Sequence, residues 1–265
     1  MSEVSLSGPS LLAQQERAPV RSLSSAELLD VWERGQDQAP VERALTMLSA
    51  AYPDAPRDKL AAFSIGERDS CLLTLRQNIF GEQLSSLADC PACNQRLEMS
   101  FNVSDIRAPS GVEPARTLSL EQAGYRVEFR LPNSLDLLAV AVCASPEEMR
   151  GRLFEQCVLN VEHCGRAAPI AAASEIPAEV IDTAIERIAQ ADPQADVQVD
   201  MTCPCCGHEW GAAFDIVSYL WTELHARAVS LLREVHLLAS AYGWRESDIL
   251  VMSSRRRRCY LEMLL

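Results

Sequence analysis

Two cysteine motifs decide the fold of this chain: Cys90-Pro91-Ala92-Cys93 and Cys203-Pro204-Cys205-Cys206. In each motif the outer cysteines enclose two residues, so that one tight turn can direct both sulfurs to the same ion. Four thiolates suit a tetrahedral Zn²⁺. The sequence therefore predicts one structural zinc ion, tying the first third of the chain to the last and bound by Cys90, Cys93, Cys203 and Cys206.

The residues after the two motifs also match each other. Phe101 and Phe214 each lie eleven positions after the leading cysteine, and they are followed by Asn102-Val103 and Asp215-Ile216. This repeated pattern predicts the two halves of a split zinc ribbon, each with a cysteine turn and an outgoing strand.

Each cysteine turn needs a residue that tolerates a left-handed backbone after its second cysteine. Gly207 adopts that conformation freely, and Asn94 is the next most tolerant type. Two alternative ligands stay open at this stage, His208 in a Cys₃His site and Cys205 in place of a neighbouring cysteine.

The segments around the ribbon predict an α+β fold. Capping boxes at Ser24 and Ser64, each with a glutamate three residues later, predict helix starts. Apolar residues recur at helical spacing from Val217 to Leu238 and predict a long C-terminal helix, which packs on the chain's own core or receives a partner helix. Residues 83–88 are expected to form a short helix before the first cysteine turn.

The predicted organisation is a helical domain interrupted by an insertion. We expect a disordered tail at residues 1–22 and a discontinuous helical and zinc-ribbon domain at residues 23–106 plus 195–265. An inserted small α+β subdomain at residues 107–194 completes the chain, with proline-containing boundaries on both sides.

The charge balance restricts the partners of the protein. With 24 basic and 37 acidic residues the chain carries a net charge of −13, which disfavours binding to nucleic acid. Lys59 is the only lysine and lies in no glycine-rich phosphate loop, so a P-loop is also excluded.

The cysteines outside the motifs are compatible with a reducing compartment. Cys71, Cys143, Cys157 and Cys259 fall in apolar helical stretches and are predicted to be small core residues. The N-terminal sequence has no signal-peptide pattern, and no apolar run is long enough for a membrane span. We therefore expect a cytoplasmic protein without membrane contact.

The C-terminal region contains the candidate partner-binding residues, which are Trp244, Arg255, Arg256, Arg257 and Arg258. Aromatic and arginine side chains often carry interface energy. In the alternative interpretation Trp244 covers the core at a helix corner and the arginines are solvated. Cys259, Leu261 and Leu264 would then face inward.

No catalytic motif is present. The sequence has no Gly-x-Ser-x-Gly elbow, no His-Glu-x-x-His pair and no dinucleotide fingerprint. A hydrolase hidden in the insertion is therefore the least supported of the possible functions.

Four segments resemble bacterial proteins found with contractile phage tails and extracellular contractile injection systems, which are similar to the T-even-phage-type baseplate hub assembly chaperone family. The segments are Ser64-Ile65-Gly66-Glu67-Arg68-Asp69, Phe129-Arg130-Leu131-Pro132-Asn133-Ser134-Leu135-Asp136, Ala191-Asp192-Pro193-Gln194-Ala195-Asp196 and Ala241-Tyr242-Gly243-Trp244-Arg245-Glu246-Ser247-Asp248-Ile249-Leu250. The likeness runs from about residue 40 to the end of the chain.

This resemblance implies a cytoplasmic, non-enzymatic assembly factor or minor baseplate component. Its partners would be baseplate hub, spike or tape-measure proteins, and no small-molecule substrate is expected. Phage relatives need not carry the cysteines, so zinc is not essential to the shared role. The alternative is a zinc-ribbon protein that binds nucleic acid or takes part in transcription.

Overall fold

Helices and small antiparallel sheets alternate along the chain, as the α+β prediction expects. The computed structural model describes residues 19–108, 117–168 and 176–264. The helices are α1 (Ser25–Gly35), α2 (Pro40–Ala51), α3 (Arg57–Ala61), α4 (Ile65–Phe80), α5 (Val103–Ile106), α6 (Ser134–Val140), α7 (Pro146–Cys157), α8 (Ala178–Ala191), α9 (Ile216–Tyr242), α10 (Glu246–Val251) and α11 (Ser254–Glu262). The strands are β1 (Gln83–Asp89), β2 (Arg96–Asn102), β3 (Leu118–Gln122), β4 (Tyr125–Phe129), β5 (Val158–His163), β6 (Arg166–Ala168), β7 (Gln198–Thr202) and β8 (Glu209–Ala213).

Both predicted capping boxes are confirmed. Ser24 caps α1 and Ser64 caps α4, and in each case the glutamate three residues later accepts a hydrogen bond from the backbone N–H of the serine. At α1 the hydrogen bond from Arg21 lowers the pKa of Glu27 to about 2. This cap therefore keeps its negative charge far below neutral pH.

The main core is formed by α1, α2, α4 and α9. Helix α4 packs against both α2 and α9, and Leu48, Leu72 and Leu220 are fully buried between them. The predicted apolar stripe on α9 lies inside this core along most of its length. The stripe therefore packs on the chain's own core and is not a free surface for a partner helix.

The region between the two cysteine motifs has a core of its own. Strands β3, β4, β5 and β6 form an antiparallel sheet in that order, and α8 packs against it through Val180 and Ala184. Val127 and Phe129 from β4 are fully buried in the same apolar cluster.

The sheet region is attached at the start of α4. The backbone N–H of Ile65 donates to the carbonyl of Pro132 at 3.1 Å, and the N–H of Gly66 donates to the carboxylate of Asp192 at 2.9 Å. Three of the four segments quoted for the family resemblance therefore meet at one point, where the polar groups at the N-terminus of α4 are satisfied by distant parts of the chain.

The predicted division into domains stays a prediction. The described residues of the helical region and of the insertion form separate apolar clusters, with no shared member. Of the predicted tail, residues 1–18 lie outside the described residues, whereas Val20 packs against the main core.

The helix expected at residues 83–88 is wrong, because this segment is strand β1. Leu84 and Leu87 have a spacing that fits a helix, but Leu84 is fully buried while Leu87 is 64% exposed. Pairing with β2, in a register that sets Leu84 opposite Phe101, overrides the local preference.

The prediction that Cys259 and Leu264 face inward from α11 is also wrong. Arg257 takes the inward position and is 1% exposed. Cys259 lies two residues further on, nearly on the opposite side of the helix, and is exposed. Leu264 follows the last turn and is 42% exposed.

Even a single methyl group in place of a hydrogen of Gly66 should destabilise the protein. A Cβ atom there would lie 1.9 Å from Oδ1 of Asp192, so Gly66→Ala should destabilise the protein by about 1–3 kcal/mol. The matched control is Gly151→Ala in α7, where a Cβ meets nothing within 4 Å and the better helix propensity should stabilise by up to about 1 kcal/mol. Urea unfolding measures both changes, and equal effects would contradict the role of the Gly66–Asp192 contact.

Candidate metal centre

Each cysteine motif forms the turn of a two-stranded hairpin. Strands β1 and β2 pair up to Asp89 opposite Arg96, directly beside the first motif. Strands β7 and β8 pair up to Thr202 opposite Glu209, directly beside the second. The two turns are therefore held at the ends of two similar ribbons.

The backbones of the two turns follow the same pattern. The N–H of Asn94 donates to the carbonyl of Cys90 at 2.8 Å, and the N–H of Gly207 donates to the carbonyl of Cys203 at 2.9 Å. The φ angles of Asn94 and Gly207 are 57° and 71°. The predicted left-handed residues are confirmed at both positions.

The repeat extends beyond the strands into the helices that follow them. The rings of Phe101 and Phe214 meet edge to face with centroids 5.8 Å apart. Asn102 and Asp215 are the N-cap residues of α5 and α9. The matching sequence offsets thus place two equivalent phenylalanines in contact between the ribbons.

The four predicted cysteines lie at one point. Their Sγ atoms are all within 4.8 Å of one another, with 3.7 Å between Cys90 and Cys206 and 3.6 Å between Cys93 and Cys203. A tetrahedral ion with metal–sulfur bonds of about 2.3 Å would separate its sulfurs by about 3.8 Å. A disulfide bond of about 2.05 Å would be far shorter. The four side chains therefore fit a single tetrahedral metal ion.

Each turn contributes one buried and one exposed sulfur ligand. Cys90 and Cys203 are 0% and 1% exposed, whereas Cys93 and Cys206 are exposed. The candidate site is therefore closed on the protein side and lies at the surface on the other.

The electrostatics of the cluster favour a bound cation. The backbone N–H groups of Cys206 and Cys205 lower the pKa of Cys203 to about 7. The N–H of Gln95 acts to lower the pKa of Cys93, but contact with the other sulfurs outweighs it and raises that pKa to about 12. Four thiolates this close repel one another, and a divalent cation removes that repulsion.

The two alternative ligands lie outside the cluster. His208 and Cys205 are exposed, and neither belongs to the group of four sulfurs. The ring of His208 instead lies nearly parallel to that of Trp210, with centroids 5.9 Å apart.

Tyr219 links the ribbons to the helical core, a role that the sequence did not indicate. Its hydroxyl donates to the carbonyl of Ser85 at 2.9 Å and accepts from the N–H of the same residue at 3.0 Å. Its ring contacts Phe214, with centroids 5.3 Å apart. A single tyrosine on a helix is not part of a recognisable sequence motif. This contact is therefore visible only in the structure.

One ion pair joins α9, the helix that carries Tyr219, to α4 of the main core. Arg76 of α4 makes two hydrogen bonds of 2.8 Å to the carboxylate of Glu223 on α9, and its side chain is 3% exposed. A bidentate pair with a buried arginine holds the two helices in one register.

The candidate partner-binding residues fall into two groups. Arg255, Arg256 and Arg258 are exposed, and Trp244 is half-buried beside the small cluster around Leu238 and Ile249. Arg257, in contrast, is buried and pairs with Glu234 at 2.7 Å. As part of an internal ion pair, Arg257 is not available as an exposed interface anchor.

Comparison with known proteins assigns the family. The sequence model of a family described as T4 bacteriophage base plate protein matches residues 23–221, which is most of the chain. The protein belongs to this baseplate family. No curated protein and no solved structure matches the chain.

The family match covers some parts of the baseplate protein and leaves out others. It includes both cysteine motifs and the sheet region between them, and it ends at Trp221, early in α9. The fourth segment of the sequence resemblance, residues 241–250, lies outside the match. Membership implies that the protein acts together with other baseplate proteins.

The described part of this baseplate protein offers no candidate for a membrane span, since none of its helices has the required length and apolar composition.

A metal ion bound by the four sulfurs should depend on each ligand. Cys203→Ser should lose the metal and unfold at a lower temperature, because a structural metal contributes folding free energy on the order of 10 kcal/mol in zinc-finger peptides. Cys205→Ser is the matched control, since it removes an exposed thiol from the same turn and should keep one metal per chain. Elemental analysis and thermal unfolding measure the two effects. Equal metal content in the two variants would contradict the assignment of ligands.

Proposed function

We propose that the protein is a non-enzymatic assembly factor for the baseplate hub of a contractile phage-tail-like particle, and that one structural zinc ion closes its fold. The observation that carries the proposal is the baseplate family match over residues 23–221. The four-sulfur cluster lies within the matched region and supports the structural part of the proposal.

The chemistry of the cluster supports a structural metal and not a catalytic one. Catalytic zinc keeps an open position for water or substrate, whereas four cysteine ligands fill the tetrahedron. Within the described residues this is the one group of metal-ligating side chains that lies close enough together to hold an ion. The proposed ion therefore serves the fold.

The position of the cluster explains what the zinc would do. Cys93 and Cys203 are 110 residues apart, and the complete sheet region lies between them. Closing so long a loop restricts the unfolded chain strongly. The ion would also bring the β1–β2 ribbon and the base of α9 into a fixed relation.

The alternative role in nucleic-acid binding lacks a basic surface on the ribbons. Residues 83–102 and 198–213 together contain one arginine against four carboxylates. Phosphate backbones are held mainly by lysine and arginine. The charge of the ribbons therefore favours a protein partner, such as a hub, spike or tape-measure protein.

A producer strain without this protein tests the proposal directly. It should form few complete particles because the hub is not assembled, and wild-type protein should restore their number. Cys205→Ser should restore them equally well, whereas Cys203→Ser should not. Electron microscopy counts the particles, and unchanged numbers in the deletion strain would refute a role in assembly.

Mass spectrometry of purified particles separates an assembly factor from a minor component. An assembly factor should accompany incomplete baseplates and be absent from finished particles. A constant number of copies in finished particles would instead identify a component of the baseplate.

A further inference from the structure

The C-terminal end of the protein carries a partly exposed cluster of aromatic side chains. The ring of Trp244 stacks on Tyr242 with centroids 4.5 Å apart and meets Tyr260 edge to face at 4.8 Å. Arg256 lies over the ring of Tyr260 at 5.8 Å, and Met263 follows one turn later and is 71% exposed. We call these five residues the tip patch.

The orientation of the tip patch is fixed from inside the protein. Glu234 on α9 accepts from Arg227 at 2.7 Å and from Arg257 at 2.7 Å. Arg257 also donates to the carbonyl of Met252 at 2.5 Å. Because Arg257 points inward, Arg256 lies about 100° away on the side of Tyr260 and Met263.

The C-terminal region holds a large share of the exposed apolar side chains for its length, and two of them, Tyr242 and Met263, belong to the tip patch. Ten large apolar side chains are exposed among the described residues, and five of them lie between residues 237 and 264. They are Leu237, Tyr242, Val251, Met263 and Leu264. Apolar groups gathered at one end of a molecule mark an interaction surface more often than the same groups scattered singly.

Three arginines at the tip form no ion pair among the described residues, in a chain that is acidic as a whole. Among the described residues no ion pair includes Arg255, Arg256 or Arg258. Residues 243–265 contain five arginines and three carboxylates, and four arginines remain after Arg257 is paired with Glu234, against a net charge of −13 for the whole chain. The positive charge of the tip is thus available to a partner.

We propose that the tip patch binds an acidic protein segment that carries an aromatic or aliphatic side chain among its carboxylates. Its arginine, methionine and aromatic composition is that of interface centres. Pairing of two tips would bring like charges together, so a second copy of the chain is disfavoured, and the acidity of the whole protein disfavours nucleic acid. The inference rests on the proposed function and names the chemistry of the baseplate partner.

Fluorescence anisotropy with the purified full chain tests the inference at physiological ionic strength. The probe is a short fluorescein-labelled peptide of glutamates around a Phe-Leu pair, and its matched control has lysine in place of glutamate. The acidic peptide should bind saturably and the basic one should not. Arg256→Glu should weaken binding at least about tenfold, and Met263→Ser should weaken it too. Both side chains lie at the surface, so both variants should fold.

The matched control variant is Arg166→Glu, which reverses an exposed arginine on β6 that makes no ion pair with a described residue. It should bind the acidic peptide as the wild type does. Absence of saturable binding, or equal weakening by Arg166→Glu and Arg256→Glu, would overturn the inference.

Two further measurements test nucleic acid and a second copy of the chain as partners of the tip patch. Displacement of the peptide by a single-stranded DNA oligonucleotide, or a dimer in sedimentation that Arg256→Glu converts to monomer, would also overturn it. These assays use purified protein, so their failure would remove the tip patch as the docking site. The role in assembly is decided separately by particle counts in the deletion strain.

Discussion

The approach of four cysteine sulfurs from two distant turns is the constraint on which the rest of the structure depends. Sulfurs at 3.6–3.7 Å are too far apart for disulfides and too close for four free thiolates. A tetrahedral cation satisfies both conditions. Because one turn precedes the sheet region and the other follows it, the same contact brings the two ends of that region's flanking chain together.

The constraint reaches the helical core through α9. The second ribbon ends at Phe214, which touches Phe101 of the first ribbon, and α9 begins directly afterwards. Tyr219 then holds the backbone of β1, and Glu223 holds Arg76 of α4. Phe214 before α9 and two residues on it, Tyr219 and Glu223, thus connect the cysteine cluster to the main core. The C-terminal end of α9 carries the tip patch and lies beyond the region that matches the baseplate family.

The sequence predicted the parts of this arrangement that depend on local chemistry. Cysteine spacing, the left-handed residues Asn94 and Gly207 and the serine caps follow from a few neighbouring residues, and the structure contains them. Strand β1 could not be predicted, because its apolar spacing suits a helix. Only the pairing with β2 makes this segment a strand. The inward turn of Arg257 depends on Glu234, which lies 23 residues away, and no local pattern indicates such a partner.

X-ray absorption at the zinc edge of the purified protein tests the four-sulfur metal site directly. It measures the number and type of the ligand atoms and their distances from the metal. We expect one zinc ion surrounded by four sulfur atoms at about 2.3 Å. A shell that contains nitrogen or oxygen atoms, or protein purified without bound zinc, would contradict it.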